Sequence, residues 1–376
     1  FYTEDDYSNL VYQNVYNKKE VEVARNTPVI VHYAGKKPWS DLDTKCGYFW
    51  WNFVMGDLYL KEIFQEKYYA LSNVDLSIII PVYNSSKYLR PCLDSIVSQD
   101  SETYEIICID DGSEDNSLEI LSEYNEKFHN YKIIQQEHSG LSIARNQGIK
   151  VARGEYVYFV DSVDIVCDDF IEKALTRVKR ENLDVLMFSF DNFADDIDTY
   201  QMYEERILRR KRTKEPKEIL SGIEMMRSLL EENEYYPMVW IQMTRRKVLI
   251  DNFLLFYKGI VFEDVLYTFR LLWYSERVRS LIDVGYKKRI HKESICGKPE
   301  SLHNVDSLWK NYKKLISLCE QFNQDDDNYE YVAKTMIQKS INQLMLHFSR
   351  LSNADRSMFL NGLSRWDRIR FELLSK

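Results

Sequence analysis

The chain has 376 residues, 45% of them apolar and 29% charged, with a formal net charge of −9. That length is enough to bury a sizeable core and fits one large domain or two to three smaller ones. The composition excludes wholesale disorder, and the acidic balance argues against nucleic acid as a bulk partner. Six cysteines, Cys46, Cys92, Cys108, Cys167, Cys296 and Cys319, show no CxxC pair and no metal-ligand spacing. Several lie in apolar runs and read as buried free thiols of a reducing compartment. No apolar stretch approaches the ~18–20 residues that span a bilayer, and no signal peptide is visible. The first residue is Phe, so the chain reads as a piece of a longer polypeptide.

Residues 1–73 are tyrosine-rich, with one isolated apolar strand at 28–31 and the aromatic run Tyr48-Phe49-Trp50-Trp51-Asn52-Phe53. From Leu76 onward, apolar runs of strand length alternate with amphipathic segments of helix length. Strands are expected at 76–80, 104–110, 131–136, 155–161 and 184–190, with helices at roughly 86–98, 114–127, 139–152 and 168–181. Ile- and Val-rich strands with helices between them predict an α/β fold, its parallel sheet covered on both faces. Ser113, Ser139 and Asp168 are good N-cap types at the expected helix starts. From about 301 the pattern is purely helical. Leu308, Tyr312, Leu315, Cys319 and Phe322 recur at three- and four-residue steps, as do Ile337, Ile341, Leu344, Phe348 and Leu351. Asp325-Asp326-Asp327-Asn328 separates these two helices. Three regions result: 1–73, 74–298 and a helical appendage at 299–376.

In an open parallel sheet, ligands bind outside the carboxyl ends of the strands. Strand one runs into Pro81-Val82-Tyr83-Asn84, and strand two ends in Asp110-Asp111-Gly112-Ser113. The third helix opens with His138-Ser139-Gly140 and carries Arg145 and Asn146, while strand four ends in Asp161-Ser162-Val163-Asp164. One such cluster could be turn chemistry alone; acids repeated at strand ends make a site for cations or for hydroxyl and imide donors. None of the 12 glycines forms a GxG pair and no GxxxxGK[ST] occurs, which removes the main support for a nucleotide-dependent oxidoreductase. A phosphate-bearing ligand is then left to a metal on carboxylates, to Arg or Lys, or to both. The basic run Arg206, Arg209, Arg210, Lys211, Arg212, Lys214 and Lys217 reads as a solvated loop, or as a contact to an acidic acceptor or a membrane surface.

The stretches "LSIIIPVYNSSKYLRPCLDSIVSQ", "EIICIDDGSEDNS", "HSGLSIARNQGI" and "GEYVYFVDSVD" resemble the nucleotide-binding half of a family 2 glycosyltransferase with the GT-A fold. "VWIQMTRRKVLIDNFLLFYKGIVFEDVLYTFRLL" resembles that family's acceptor-side half, with its Glu-Asp pair. The resemblance covers about residues 75–295. It implies an inverting transfer of a hexose or N-acetylhexosamine from a nucleotide diphosphate sugar, with UDP as the nucleotide, to a hydroxyl of a glycan or glycoprotein. It also implies a bacterial enzyme in the cytoplasm or at the inner face of the membrane, beside other transferase domains of the same polypeptide. Under it, Pro81 and Tyr83 pack on the base, Asp110 meets nearby polar groups and Asp111 accepts from the uracil N3–H. Arg145 faces the diphosphate or base, and Asp161, with Ser162 beside it, holds the ribose or the metal. Asp264 is the expected base with Glu263 alongside, because a carboxylate can take the acceptor proton as the new bond forms. A divalent ion, Mn²⁺ or Mg²⁺, is expected on Asp161, Asp164 and His291.

Two departures from the family pattern matter. It is usually Asp-Ser-Asp-Asp, and its third, metal-ligating position here is Val163. Either Asp161 and Asp164 share the ion, or metal binding is weakened, or the domain is a degenerate module that binds a sugar nucleotide or scaffolds a glycosylation complex. After Trp240 stands Ile241-Gln242, where Asn-Lys is common. In the first region, "PVIVHYAGKKPW" resembles the C-terminal end of a family 8 glycosyltransferase. This implies a metal contact at His32 and diphosphate contacts at Gly35 and Lys37, in the tail of an upstream transferase domain.

Overall fold

Strand β1 (Leu76–Val82) is buried along its whole length. Leu76, Ile78, Ile80 and Val82 enter one apolar cluster and Ile79 a second on the opposite face, as the two-residue period of a strand requires. The computed structural model describes residues 74–99, 103–208, 212–213, 215–291, 300–321 and 326–374. The expectations at His32, Gly35, Lys37, Cys46 and Cys296, and everything else in residues 1–73, lie outside the described residues.

The chain continues through α1 (Ser86–Val97), β2 (Tyr104–Asp110), α2 (Ser117–Asn125), β3 (Tyr131–Gln135), α3 (Leu141–Val151) and β4 (Tyr156–Phe159). β2 and β4 flank β1 and β3 lies outside β2, all parallel. Leu89, Cys92, Leu93 and Ile96 of α1 cover one face of this sheet, and Ala144 and Ile149 of α3 the other. Next come β5 (Ile165–Val166), α4 (Phe170–Arg180), β6 (Val185–Phe193), α5 (Ile197–Met202), α6 (Glu204–Ile207) and α7 (Gly222–Glu231). They are followed by β7 (Gln242–Arg245), α8 (Arg246–Asp251), α9 (Glu263–Trp273) and β8 (Val278–Arg289). The sheet order is β3-β2-β1-β4-β7-β6-β8-β5.

The sheet is mixed where a parallel one is expected, because β7 runs antiparallel to both β4 and β6. Its four residues, Gln-Met-Thr-Arg, carry a single apolar side chain and are invisible to periodicity. The helix starts also differ. Asn116, Gly140 and Asp169 occupy the N-cap positions, not Ser113, Ser139 and Asp168. The Ser113 and Ser139 amides are drawn instead to Asp110 Oδ1 (3.3 Å) and Asp111 Oδ1 (2.8 Å), which makes both serines part of loops that shape the cleft.

The C-terminal region contains four helices where two are expected: α10 (Leu302–Gln321), α11 (Asp327–Arg350), α12 (Asn353–Gly362) and α13 (Arg365–Leu374). Asp326 Oδ1 accepts the Tyr329 amide at 2.9 Å and caps α11. Leu315 and Cys319 of α10 and Val332 and Met336 of α11 extend the second apolar cluster, so these helices share a core with the sheet. Of the basic run, Arg212 is buried with its Nη1 donating to the Phe188 carbonyl at 2.9 Å, which corrects the reading of a wholly solvated loop. Among the described residues, Cys92, Cys108, Cys167 and Cys319 are free, and burial pushes the Cys108 thiol up to about 12. No helix among the described residues is long and apolar enough to cross a membrane.

Candidate active site

The turns after β1, β2 and β4 meet where the strands end. Asp110 and Asp111 are both buried. Asp111 Oδ1 accepts from Gln136 Nε2 (2.6 Å) and the Ser139 amide (2.8 Å), and Oδ2 from the Gly140 amide (2.9 Å). Gly112 and Gly140 lie at φ 74° and 91°, the left-handed backbone that lets both loops close on this carboxylate. His138 Nδ1 stands 2.9 Å from Asp111 Oδ2, and its ring stacks on Tyr83 with centroids 4.0 Å apart. Tyr83 is open to solvent, whereas Pro81 is buried within β1, so of the two residues expected at the base only Tyr83 is exposed. Ser85 Oγ and Ser162 Oγ, 2.7 Å apart, tie the turn after β1 to the turn after β4.

Arg145 lies between two acids. Its guanidinium is buried, with Nη2 donating to Asp161 Oδ1 (2.9 Å) and Nη1 to Glu263 Oε1 (2.7 Å), and it lies over the Phe256 ring at 5.2 Å. A rigid two-pronged donor suits such a bridge. Arg145 therefore joins the strand-end aspartate to the Glu-Asp pair and does not face open solvent. Asn146, next in sequence, locks the loop before that pair through paired bonds to the Phe256 carbonyl (2.9 Å) and amide (2.8 Å).

Asp164 is fully buried and turned toward β8. It accepts from the Tyr286 hydroxyl (2.9 Å) and the Arg289 amide (2.8 Å), with Lys288 Nζ at 3.8 Å. Desolvation raises its carboxyl to about 6, against the pull of Lys288. The same Tyr286 hydroxyl accepts the Asp161 amide at 3.1 Å. His291 is partly buried against Tyr88, ring centroids 5.2 Å apart. The expected metal set does not assemble: Asp164 is committed to β8, Val163 offers no side-chain oxygen, and Asp161 Oδ1 is held by Arg145. Among the described residues no group of three or more His, Cys, Asp or Glu could hold a metal ion. The side chains present therefore do not fit the ion that the fold family implies.

Glu263 and Asp264 open α9, preceded by Phe262 at φ 62°. A left-handed non-glycine residue costs about 1–3 kcal/mol and persists only where its surroundings fix it. Here Asn311 of α10 supplies that support, its Nδ2 donating to the Phe262 (3.2 Å) and Val261 (3.3 Å) carbonyls. Desolvation first, then the neighbouring Glu263, raises the half-buried Asp264 carboxyl to about 7, with Arg145 opposing. Such a carboxylate is matched to proton abstraction near neutral pH. At the second departure noted in the sequence, Gln242 is buried and donates to Thr268 Oγ1 at 2.8 Å, a contact within the protein.

Tyr286 and Asn311 are the participants that sequence reading misses. Tyr286 lies in β8, whose many charged residues hide the strand, and Asn311 belongs to a helix with no motif. His138 stands in the polar cluster that opens the third helix, but its contact with Asp111, 27 positions away, is visible only in the fold.

Residues 77–251 match the family described as "Glycosyl transferase family 2". The chain is 31% identical over 269 residues to the Escherichia coli K12 protein named "Uncharacterized glycosyltransferase YibD", covering 71% of this chain and 75% of that protein. The S. aureus TarS 1–349 structure in complex with UDP-GlcNAc superposes with a TM-score of 0.56 at 22% identity, over 80% of this chain and 79% of TarS 1–349. The Pyrobaculum calidifontis mannosyltransferase PcManGT, solved with GDP-Man and Mn²⁺, gives 0.50 at 13% identity, over 87% and 94%. Ordered motifs, sheet topology and these relatives together make the chain a family 2 glycosyltransferase with the GT-A fold.

Proposed function

We propose that this chain is an inverting transferase that takes a hexose or N-acetylhexosamine from a UDP-sugar and passes it to a hydroxyl of a glycan or glycoprotein. The observation that carries the reading is the Arg145 bridge, which brings Asp161 of the donor-side turn and Glu263 of the acceptor-side helix onto one guanidinium. Uracil stacks on Tyr83, and its N3–H takes the place of His138 Nδ1 on Asp111 Oδ2, the exposed imidazole swinging aside. Asp264 accepts the proton of the attacking hydroxyl. Glu263, tied to Arg145, orients it, so a single displacement needs no covalent intermediate. The neighbour solved with UDP-GlcNAc supports the nucleotide. We read residues 1–73 as the tail of an upstream family 8 domain, and place the reaction in the cytoplasm or at the inner face of the membrane.

Asp111→Ala is expected to weaken UDP binding by about 1–3 kcal/mol, the cost of leaving a buried donor unpaired. Calorimetric titration of UDP checks this, and unchanged affinity would remove Asp111 from the donor site. A second reading, a degenerate domain that binds sugar nucleotide as a module, is favoured by Val163. It expects UDP binding without turnover.

A further inference from the structure

We propose that this chain binds its nucleotide donor without a divalent ion, because the carboxylates that would hold one are already committed to partners within the protein. The inference rests on the UDP reading above and concerns its electrostatics.

A divalent ion in a carboxylate turn needs uncompensated oxygen ligands to draw it out of water, and Mg²⁺ in particular dehydrates reluctantly. Each acid of the Asp161-Ser162-Val163-Asp164 turn already has a partner within the protein, Asp161 on one oxygen and Asp164 on both. Asp161 gives Oδ1 to Arg145, whose guanidinium is 3% exposed and cannot be screened away by solvent. Asp164 has no solvent exposure, and its two oxygens are taken by the Tyr286 hydroxyl and the Arg289 amide, with the Lys288 ammonium at 3.8 Å. Arg289 also donates Nε to the Val163 carbonyl at 2.8 Å, which occupies the backbone oxygen of the turn. Glu263 shares the same guanidinium. A carboxylate already bonded to a fixed cation or to buried donors holds less attraction for a mobile ion. Releasing Asp164 would leave Tyr286 and Arg289 facing an empty place in the core, a costly exchange.

The test uses the full chain with UDP as the probe. UDP dissociation constants are measured by calorimetry in Mn²⁺, in Mg²⁺ and in EDTA, and Mn²⁺ binding is followed separately by electron paramagnetic resonance. The expected result is the same UDP affinity in all three and no Mn²⁺ bound to the parent. Val163→Asp, at a partly exposed position, is expected to acquire Mn²⁺-dependent tightening. A loss of about tenfold or more on chelation in the parent, matched by Val163→Asp, overturns the inference and leaves the donor reading intact. UDP that binds in none of the three conditions overturns the donor reading and this inference together.

Discussion

Asp264→Asn is expected to lower kcat by about 10²–10⁴, the usual contribution of a positioned general base, while UDP affinity stays near that of the parent. The amide keeps the shape of the carboxylate and removes its capacity to accept a proton. Because desolvation and Glu263 hold the Asp264 carboxyl at about 7, kcat of the parent is expected to fall as pH drops below that value and to level off above it. The same shift fixes the sign of a stability effect. The folded state holds this proton more tightly than the unfolded chain does, so ionising Asp264 costs stability as pH rises from the ordinary carboxylate range toward 7. Asp264→Asn should therefore melt at a higher temperature than the parent at about pH 8, and the gap should close in acid. Glu263→Gln should cost less activity, since Glu263 orients its neighbour. Near-parental transfer by Asp264→Asn would move the base elsewhere, and equal losses of transfer and UDP affinity would mean a damaged fold.

The second large effect is expected at Arg145. Arg145→Met keeps an unbranched side chain over Phe256 but leaves Asp161 and Glu263 without their shared cation. Removing one partner of a buried ion pair costs about 3–5 kcal/mol, a large share of a domain's total stability. Denaturant unfolding should show that loss. Adding Glu263→Gln should return part of it, because one of the stranded charges is then gone. A purely packing role for Arg145 predicts no such recovery. Arg145→Lys is expected to rescue poorly, since a single ammonium cannot present two parallel donors in the guanidinium geometry.

The early part of the fold was legible because its strands are buried on both faces. β1 and β2 announce themselves as near-continuous Ile-rich runs, and the acids at their ends mark where a ligand goes. The later half was not legible in the same way. β7 has one apolar residue and β8 interleaves Arg, Lys and Asp with its core positions, so neither follows the alternation that marks a half-buried strand. The individual site acids were readable as types, yet their partners were not. Asp164 and Asp161 stand three residues apart, but the first is claimed by Tyr286 and the second by Arg145, 122 and 16 positions away. Which acid faces the cleft and which serves the core is set by those long-range bonds, and local sequence carries no record of them. The same holds for Asn311, whose hold on Phe262 spans 49 positions.

The proposed reaction is a single displacement at the anomeric carbon with Asp264 as base. Proton NMR of the first-formed product from an α-configured UDP-sugar tests it directly, and slow hydrolysis of the donor serves where water replaces the acceptor. The product is expected first as the β anomer, with no glycosyl adduct on the protein by mass spectrometry. A first-formed α anomer, or a covalent adduct at Glu263 or Asp264, would contradict it.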